Sequence, residues 1–222
     1  MLYIVATPIG NLGDITLRAL ETLKSVDLIA AEDTRHSGNL LRHHGIARPL
    51  ISFHEHNEAR RTQELVERLR AGANVALVTD AGMPGVSDPG ARLVRACQAE
   101  GIAYTVLPGA SALPVALVGS GFAAERFFYG GFLPTKSGQR ERALRGAVER
   151  AETSLFFESP YRLVKSLAVL AELAPARPVC VARELTKQFE EFRRGLPGEL
   201  LEHYTTRPPK GEITLVIAGS EF

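Results

Sequence analysis

The hydrophobic positions of this 222-residue chain fall into short apolar runs separated by amphipathic stretches. Runs of four to six apolar and often branched residues are typical of buried strands. Strands are predicted at residues 2–6, 27–31, 50–53, 75–78, 103–107, 127–133, 154–157, 179–182, 189–194 and 213–218. Because most of these runs alternate with helical patterns, the chain is predicted to have an α/β fold with a parallel sheet in its first half.

The intervening stretches carry apolar residues at helical spacing. Asp14 is expected to cap the first helix, whose apolar stripe begins at Leu17. Gly45 is expected to end the second helix. The helices are predicted at residues 14–23, 37–44, 58–71, 89–97, beyond 111, 139–151, 163–174 and near 200.

The regular alternation weakens in the second half of the chain. Residues 117–124 contain two glycines among small neighbours and predict a hinge. We therefore expect two α/β domains. Residues 1–118 form the N-terminal domain with a parallel sheet, and residues 119–222 form the C-terminal domain with a mixed sheet.

Composition excludes several classes of protein. The apolar runs are shorter than the ~18 residues of a membrane helix, so no membrane segment is expected. The first residues lack the basic start of a secretory signal, and two cysteines give no disulfide framework, so the cytoplasm is expected. A net charge of +1 gives no general attraction to nucleic acid.

Two stretches are locally basic. Residues 35–61 hold five arginines and five histidines against two acids. Residues 136–150 add further cations, namely Lys136, Arg140, Arg142, Arg145 and Arg150. A solvated face and an anion-binding surface are both compatible with this pattern.

Polar and turn residues follow six of the predicted strands, at residues 7–11, 32–36, 79–90, 108–111, 158–162 and 183–187. In open α/β sheets, ligands bind at the carboxyl ends of the strands, so six such clusters predict a shared cleft. The longest cluster, residues 79–90, combines three glycines with the carboxylates of Asp80 and Asp88.

The sequence lacks the motifs of several common binding and catalytic sites. The chain has no G-x-G-x-x-G after a strand, no G-x-x-x-x-G-K-[ST] and no G-x-S-x-G. His54 and His56 have no matched third ligand, so no metal is expected. The clusters fit a polar organic molecule that is recognised by carboxylates and backbone groups.

Seven strings follow one another in an order that we recognise. They are A-T-P-I-G-N-L-G-D-I-T-L-R-A (6–19), A-E-D-T-R (31–35), D-A-G-M-P-G-V-S-D-P-G (80–90), P-G-A-S-A (108–112), F-E-S-P-Y-R (157–162), R-E-L-T-K (183–187) and K-G-E-I-T-L-V-I (210–217). With them the chain resembles the tetrapyrrole-methylase superfamily of S-adenosylmethionine-dependent enzymes. Within it, the strings are most similar to those of the members that methylate small-subunit ribosomal RNA.

The resemblance implies a cofactor cleft between two α/β domains. Asp80 and the Met83 backbone would contact the methionine part and the ribose of S-adenosylmethionine, with Pro8 at the floor. Ser111 and Ala112 would flank the methionine side. Phe157, Ala182 and Ile213 would form the wall around the adenine.

The resemblance also implies the reaction, which is 2′-O-methylation of a cytidine ribose in 16S ribosomal RNA near the decoding region. It implies a homodimer that acts on the small ribosomal subunit. A ribose hydroxyl is a poor nucleophile, so a base or a strong acceptor should assist. The candidate acceptors are the carboxylates Asp33, Glu158 and Glu184, and Lys187 is a further catalytic candidate. Arg35, Arg162, Arg183 and Lys187 would be placed to hold phosphates. Which carboxylate takes the proton stays open.

Two alternatives remain. A tetrapyrrole carbon could accept the methyl group, or the chain could be a ribosome-binding module without a cofactor. The RNA-type strings at residues 31–35 and 183–187 disfavour the first alternative, and the density of cofactor-cleft residues disfavours the second. Relatives of this kind usually continue into a small helical C-terminal region, whereas this chain stops at Phe222. Either this version lacks that region or the sequence is trimmed before it, so any share of RNA binding that the region holds stays open.

Overall fold

The computed structural model describes residues 1–220 and divides into two compact units. Unit 1 spans Met1–Ser111, and unit 2 begins at Ala112. The predicted boundary lies later, between residues 118 and 119. The difference arises because residues 112–120 form a helix that packs on strands of unit 2, so the predicted hinge at 117–124 begins inside that helix.

Unit 1 contains one five-stranded parallel sheet, as predicted. The strands are β1 (Leu2–Val5), β2 (Leu28–Ala31), β3 (Leu50–Ser52), β4 (Val75–Val78) and β5 (Tyr104–Leu107). They lie in the order β3-β2-β4-β1-β5, and every pairing is parallel. The helices are α1 (Leu17–Ser25), α2 (Thr34–His43), α3 (Glu58–Arg70) and α4 (Ala91–Ala99).

The central strands of unit 1 are buried on both faces. Every residue of β2 and β4 is buried, as in a parallel sheet that carries helices on both sides. One core contains Leu77 with Leu65 of α3 and Leu93 of α4. The other contains Val78 and Leu23 of α1. Both faces are thus closed, which leaves the strand ends as the place for a site.

The first helix begins later than predicted. Asp14 lies in a short 3₁₀ turn, and Thr16 is the N-cap, its hydroxyl accepting a hydrogen bond from the Ala19 N–H at 3.1 Å. The buried stripe of this helix also differs from the predicted one. Leu17 is 80% exposed, and the buried stripe consists of Ala19 and Leu23.

Unit 2 contains the predicted mixed sheet. Its helices are α5 (Ala112–Ser120), α6 (Ser137–Val148), α7 (Leu163–Leu173) and α8 (Pro197–Thr206). Its strands are β6 (Phe127–Phe132), β7 (Thr153–Glu158), β8 (Val179–Arg183), β9 (Glu191–Gly195) and β10 (Ile213–Ile217), in the order β6-β7-β10-β8-β9. Only β6 and β7 pair in parallel among these strands. Within residues 1–220, no helix has the length and apolar character needed to cross a membrane.

The two faces of the second sheet are covered differently. One face packs against α6, α7 and α8 through residues such as Phe156 and Leu215. The other face packs against α5, which contacts β8, β9 and β10. A Cβ on Gly119 of α5 would lie 2.1 Å from the Phe192 ring, so the helix approaches the sheet closely. Side chains that alternate along each strand therefore enter two separate environments.

Candidate functional site

The loops that follow β1, β4 and β5 touch one another. Thr7 and Gly82 exchange two backbone hydrogen bonds of 2.9 Å, and the Thr7 hydroxyl donates to the Thr79 carbonyl at 2.9 Å. The Ala110 carbonyl lies 3.8 Å from the position that a Cβ on Gly82 would take. The structure therefore gathers the loops that carry four of the predicted cofactor residues, namely Pro8, Asp80, Met83 and Ser111.

The loop after β4 holds an unusual conformation. Ser87 has φ +62, and three glycines also have positive φ angles. At Gly90 a Cβ would lie 2.9 Å from the Leu77 side chain, and the Gly90 N–H donates to Glu58 at 3.0 Å. Backbone of this kind persists only where its surroundings enforce it, and it is common at functional sites.

Three carboxylates gather at this edge of unit 1. Asp80 accepts a hydrogen bond from the Asp33 N–H at 3.1 Å, and the Asp80 N–H donates to Glu32 at 3.4 Å. Burial raises the pKa of Glu32 above its ordinary value. Burial, together with the charges of Glu32 and Asp80, raises the pKa of Asp88 to about 7. Sequence reasoning gave Glu32 no role, although it lies in the string at 31–35.

The Asp33 carboxylate caps α2 and is hydrogen-bonded to Arg35 in the first turn of that helix. Its carboxylate accepts the Arg35 N–H at 2.8 Å and the Arg35 guanidinium at 3.2 and 2.8 Å. These bonds hold the pKa of Asp33 well below its usual range. Asp33 is therefore a poor proton acceptor. The Arg35 side chain is 89% exposed and can still be reached by a phosphate.

Phe157 and Ala182 flank a residue that the sequence did not single out. Thr214 of β10 lies directly opposite Phe157 on one side and Ala182 on the other. The three side chains share the face that carries α5. Ile213 is one residue earlier, so its side chain points to the opposite face and packs in the core with α7 and α8. Only the backbone of Ile213 can reach the Thr214 side of the sheet.

The Glu158 carboxylate is buried and bonded to neighbouring groups of unit 2. Its side chain is fully buried and accepts hydrogen bonds from the Ser159 N–H at 2.7 Å and the Ser166 hydroxyl at 2.5 Å. Arg162 pairs with it at 2.9 Å and also donates to the Leu133 carbonyl at 3.0 Å. Both groups are thus committed within unit 2, which argues against a proton-accepting role for Glu158.

The loop after β8 forms a charged clasp with the start of β10. Lys187 Nζ donates to Glu184 at 2.9 Å and to Glu212 at 2.8 Å, and the Glu212 N–H donates to Glu184 at 3.0 Å. Burial would raise the pKa of Glu184, but the bonds from Lys187 and Glu212 lower it below its ordinary value. Burial would lower the pKa of Lys187, but its two carboxylates raise it. Glu184 therefore holds a permanently charged Lys187.

The same loop is strained and also involves Arg183. Glu184 has φ +51 and Thr186 has φ +63, angles that residues other than glycine seldom adopt and a β-branched residue such as threonine least of all. Arg183 donates to Glu191 at 3.3 Å and to the Lys210 carbonyl at 3.2 Å. The structure thus brings the predicted residues Arg183, Glu184 and Lys187 together at one end of the second sheet.

The basic stretch at residues 136–150 exposes fewer cations than its sequence indicates. Arg140 is only 6% exposed, Arg145 pairs with Glu141 at 2.9 Å, and Arg150 lies 3.8 Å over the Phe128 ring. In the earlier stretch, Arg61 pairs with Glu64 at 2.5 Å, one of several cations with local partners. Any anion-binding surface is therefore smaller than the sequence suggests.

The described residues contain no group of three His, Cys, Asp or Glu side chains that could hold a metal ion. His54 and His56 have rings 5.9 Å apart. Nε2 of His54 lies 3.0 Å from the Asn57 amide, which in turn contacts the Ser52 hydroxyl at 3.1 Å. His54 therefore belongs to a local hydrogen-bond network at the start of α3.

Residues 1–201 match the sequence pattern of the family described as Tetrapyrrole (Corrin/Porphyrin) Methylases. The chain belongs to this family of methyltransferases, and the resemblance drawn from its motifs is confirmed. It is 52% identical over 221 residues to "Ribosomal RNA small subunit methyltransferase I" of Synechocystis sp., covering 99% of this chain and 79% of that protein. The protein of the same name from Thermotoga maritima is 47% identical over 220 residues, with 99% of both chains covered.

Solved structures show the same fold at lower identity. Uroporphyrin-III-C-methyltransferase from Thermus thermophilus matches with a TM-score of 0.68 and 22% identity, covering 99% of this chain and 94% of that one. Diphthine synthase matches with a TM-score of 0.73 and 15% identity, covering 98% and 89%. These likenesses confirm the predicted two-domain α/β architecture.

Proposed function

We propose that this chain is an S-adenosylmethionine-dependent methyltransferase that methylates the ribose 2′-oxygen of a cytidine in 16S ribosomal RNA. The observation that carries the proposal is the 47–52% identity, over nearly the whole chain, to proteins named for small-subunit ribosomal RNA methylation. The cytidine, the 2′-oxygen and the decoding region follow from the motif resemblance. The assembled small subunit is the proposed partner and the cytoplasm the place of action, with a homodimer as the expected state.

The chemistry of the strand ends fits this cofactor. S-adenosylmethionine carries a positive sulfonium and hydroxyl and amino donors, but no phosphate. The carboxylates of Glu32, Asp80 and Asp88 suit a positive charge and hydroxyl donors. In unit 2, the Phe157 ring and the small Ala182 side chain lie on either side of Thr214, which suits an adenine.

The proposed cofactor contacts follow from that fit. Asp80 and the Met83 backbone would take the ribose and the methionine part, beside Pro8, Ser111 and Ala112. Phe157 and Ala182 would contact the adenine, together with the backbone of Ile213. Thr214 adds a hydroxyl between them that the sequence reasoning missed.

When bound, the cofactor supplies an electrophilic methyl group on sulfur. The residues of the chain must hold the 2′-oxygen in line with that methyl group, and positioning of this kind contributes about 7–11 kcal/mol to barrier lowering. The new oxygen–carbon bond would replace the carbon–sulfur bond, and the hydroxyl proton would pass to an acceptor side chain of the protein. No further reactant is needed.

Asp88 is a further carboxylate to consider beside the candidates named from the sequence, since it lies with Glu32 and Asp80 at the strand ends of unit 1. Its pKa of about 7 lies near physiological pH, where a general base is most effective. Asp33 and Glu184 are held as charged ion-pair partners with lowered pKa values. We therefore assign Glu184 the role of positioning Lys187, whose charge, with those of Arg35 and Arg183, would meet the RNA backbone. Arg162 would act through the Leu133 carbonyl that it holds.

Calorimetric titration with S-adenosylmethionine tests the cofactor half of the proposal. The chain should bind without added metal, and a chelator should not change the affinity. Ser111→Leu should weaken binding by roughly one to two orders of magnitude, because overfilling a packed site costs about 1–3 kcal/mol. Ser111→Ala is the matched control and should bind nearly as well. No heat at high micromolar cofactor would favour the ribosome-binding module instead.

A further inference from the structure

A bulge in β6 redirects one aromatic side chain. The β6–β7 register shifts between Tyr129 and Phe132, and Gly131 there has φ +71. Residues three apart in a regular strand face opposite sides. Here the rings of Tyr129 and Phe132 both lie 5.3 Å from the ring of Phe157. The bulge therefore places the Phe132 ring on the same face as Phe157, as bulges beside functional sites often do.

The Phe132 ring is exposed on a rigid support. It is 59% exposed, although β6 is an edge strand, where natural proteins usually avoid large apolar groups. The next residue, Leu133, is buried and donates its N–H to the Phe157 carbonyl at 3.0 Å. The Leu133 carbonyl in turn accepts from Arg162 at 3.0 Å. The backbone that follows the exposed ring is thus fixed.

An uncapped helix N-terminus follows four residues later. Lys136 is the N-cap residue of α6, its side chain makes no capping bond, and the first turn contains no acid. The Ser137 and Gly138 N–H groups have no partner within the described chain. A Cβ on Gly138 would meet nothing within 4 Å, so the space beside it is open. Free N–H groups and the helix dipole together favour an anion at such an end.

A buried cation points to the same place. Arg140 is 6% exposed, and its guanidinium turns back toward the helix start, where Nη1 donates to the Thr135 carbonyl at 3.3 Å. Its Nε has no hydrogen-bond partner. Within residues 1–220, neither Arg140 nor the exposed Lys136 forms an ion pair, so both charges can act on an anion at the helix start.

We propose that residues 132–140 form a contact surface for single-stranded RNA. An unstacked base stacks on the Phe132 ring, and a backbone phosphate binds at the start of α6 beside Lys136. This inference rests on the proposed function and names a surface for its substrate. Four residues span at most about 14 Å, so the ring and the anion site are within reach of one short RNA segment. Stacking on an aromatic ring beside a cationic phosphate site is how proteins commonly hold single-stranded RNA.

The absence of tryptophan from the sequence allows a direct test of stacking. Phe132→Trp introduces a single reporter at the proposed surface. Phe127→Trp is the matched control, because Phe127 lies at the other end of β6 and is 48% exposed. Oligocytidylate should quench the fluorescence of Phe132→Trp and leave Phe127→Trp unchanged, while inorganic phosphate should quench neither. Equal quenching of both variants, or a signal that depends only on protein concentration and thus reports a second copy, overturns the inference.

Kinetics separate this surface from the rest of the site. Phe132→Leu should raise the KM for small ribosomal subunits by roughly five- to 150-fold, the usual loss for one stacked base, with kcat nearly unchanged. Phe127→Leu should leave the KM unchanged.

Lys136→Gln should reduce the slope of log affinity against log salt by about one. A KM within twofold for Phe132→Leu, while the unsubstituted chain methylates subunits, overturns the surface and leaves the proposed function standing. Failure of the unsubstituted chain to methylate subunits counts against the proposed function, and oligocytidylate quenching still decides the stacking.

Discussion

Asp88 makes the stability of the chain depend on pH. Its folded pKa of about 7 lies above the ordinary value, because burial and two neighbouring carboxylates disfavour its charge. The folded state therefore binds the proton more tightly than the unfolded state does. The contribution of Asp88 to stability is complete below about pH 4 and is lost as the pH rises through 7.

Asp88→Asn should remove the loss of stability that accompanies ionisation of Asp88. Above pH 7 the variant should exceed the unsubstituted chain in free energy of unfolding by on the order of 2 kcal/mol, after allowance for solvent screening of a half-exposed group. Urea denaturation at pH 5 and pH 8 without cofactor measures it. Asp33→Asn is the control of opposite sign, because the lowered pKa of Asp33 stabilises the fold above its unfolded pKa and not in acid. Identical pH dependence in Asp88→Asn and the unsubstituted chain would contradict the assignment.

Gly211 supports the clasp around Lys187. It has φ +84, and a Cβ there would lie 2.2 Å from the Glu184 carboxylate. Gly211→Ala should therefore cost about 1 kcal/mol for the backbone angle and a further 1–3 kcal/mol for the overlap. Gly72→Ala is the matched control, with φ +92 and nothing within 4 Å of the new methyl group. Urea midpoints that fall equally in both variants would show that the clasp does not need Gly211.

At the scale of single residues, the motif strings identified candidate site residues that hydrophobic periodicity alone could not identify. Asp80, Met83 and Phe157 stand inside strings whose order identified the family. Thr214 and Glu212 stand in the string at 210–217, yet their roles depend on which strands become neighbours in the second sheet. Pairing across β7, β10 and β8 is non-local, and no local pattern encodes it.

At the scale of elements, the buried ion pair joins the end of β7 to the start of α7. Arg162→Ala would leave the Glu158 carboxylate buried without its cation, a change that typically costs about 3–5 kcal/mol. Arg145→Ala, which removes the exposed partner of Glu141, should cost at most about 0.5 kcal/mol. Thermal unfolding of the two variants compares them. Unchanged stability of Arg162→Ala together with weaker RNA binding would instead support a direct RNA contact.

The strands and helices themselves were largely predictable from the sequence. Short apolar runs fix β2 and β4 because both faces of a parallel sheet are buried. Helix starts were harder, since Asp14 and Thr16 are both competent caps and only packing decides between them. The bulge in β6 was also hidden, because the pair Gly130–Gly131 is equally typical of a turn.

At the scale of the whole molecule, each of the two α/β units carries its motif strings at the ends of strands. Membership of the family makes the chain a methyltransferase. The predicted division at residue 118 differed from the structure because α5 is apolar on all sides, and a helix of that kind carries no signal for which sheet it covers. The acceptor is set by chemistry at the site and not by the fold, since likenesses of 15–22% identity extend to enzymes named for quite different substrates.

The most direct measurement of the central claim is therefore the identity of the methylated product. The chain is incubated with methyl-labelled S-adenosylmethionine and assembled small ribosomal subunits that lack the modification, with a porphyrinogen offered in a parallel reaction. The RNA is then digested to nucleosides, which are separated and identified by mass. We predict label in 2′-O-methylcytidine and none in the porphyrinogen. Label confined to base-methylated nucleosides, or to the porphyrinogen, would contradict the account.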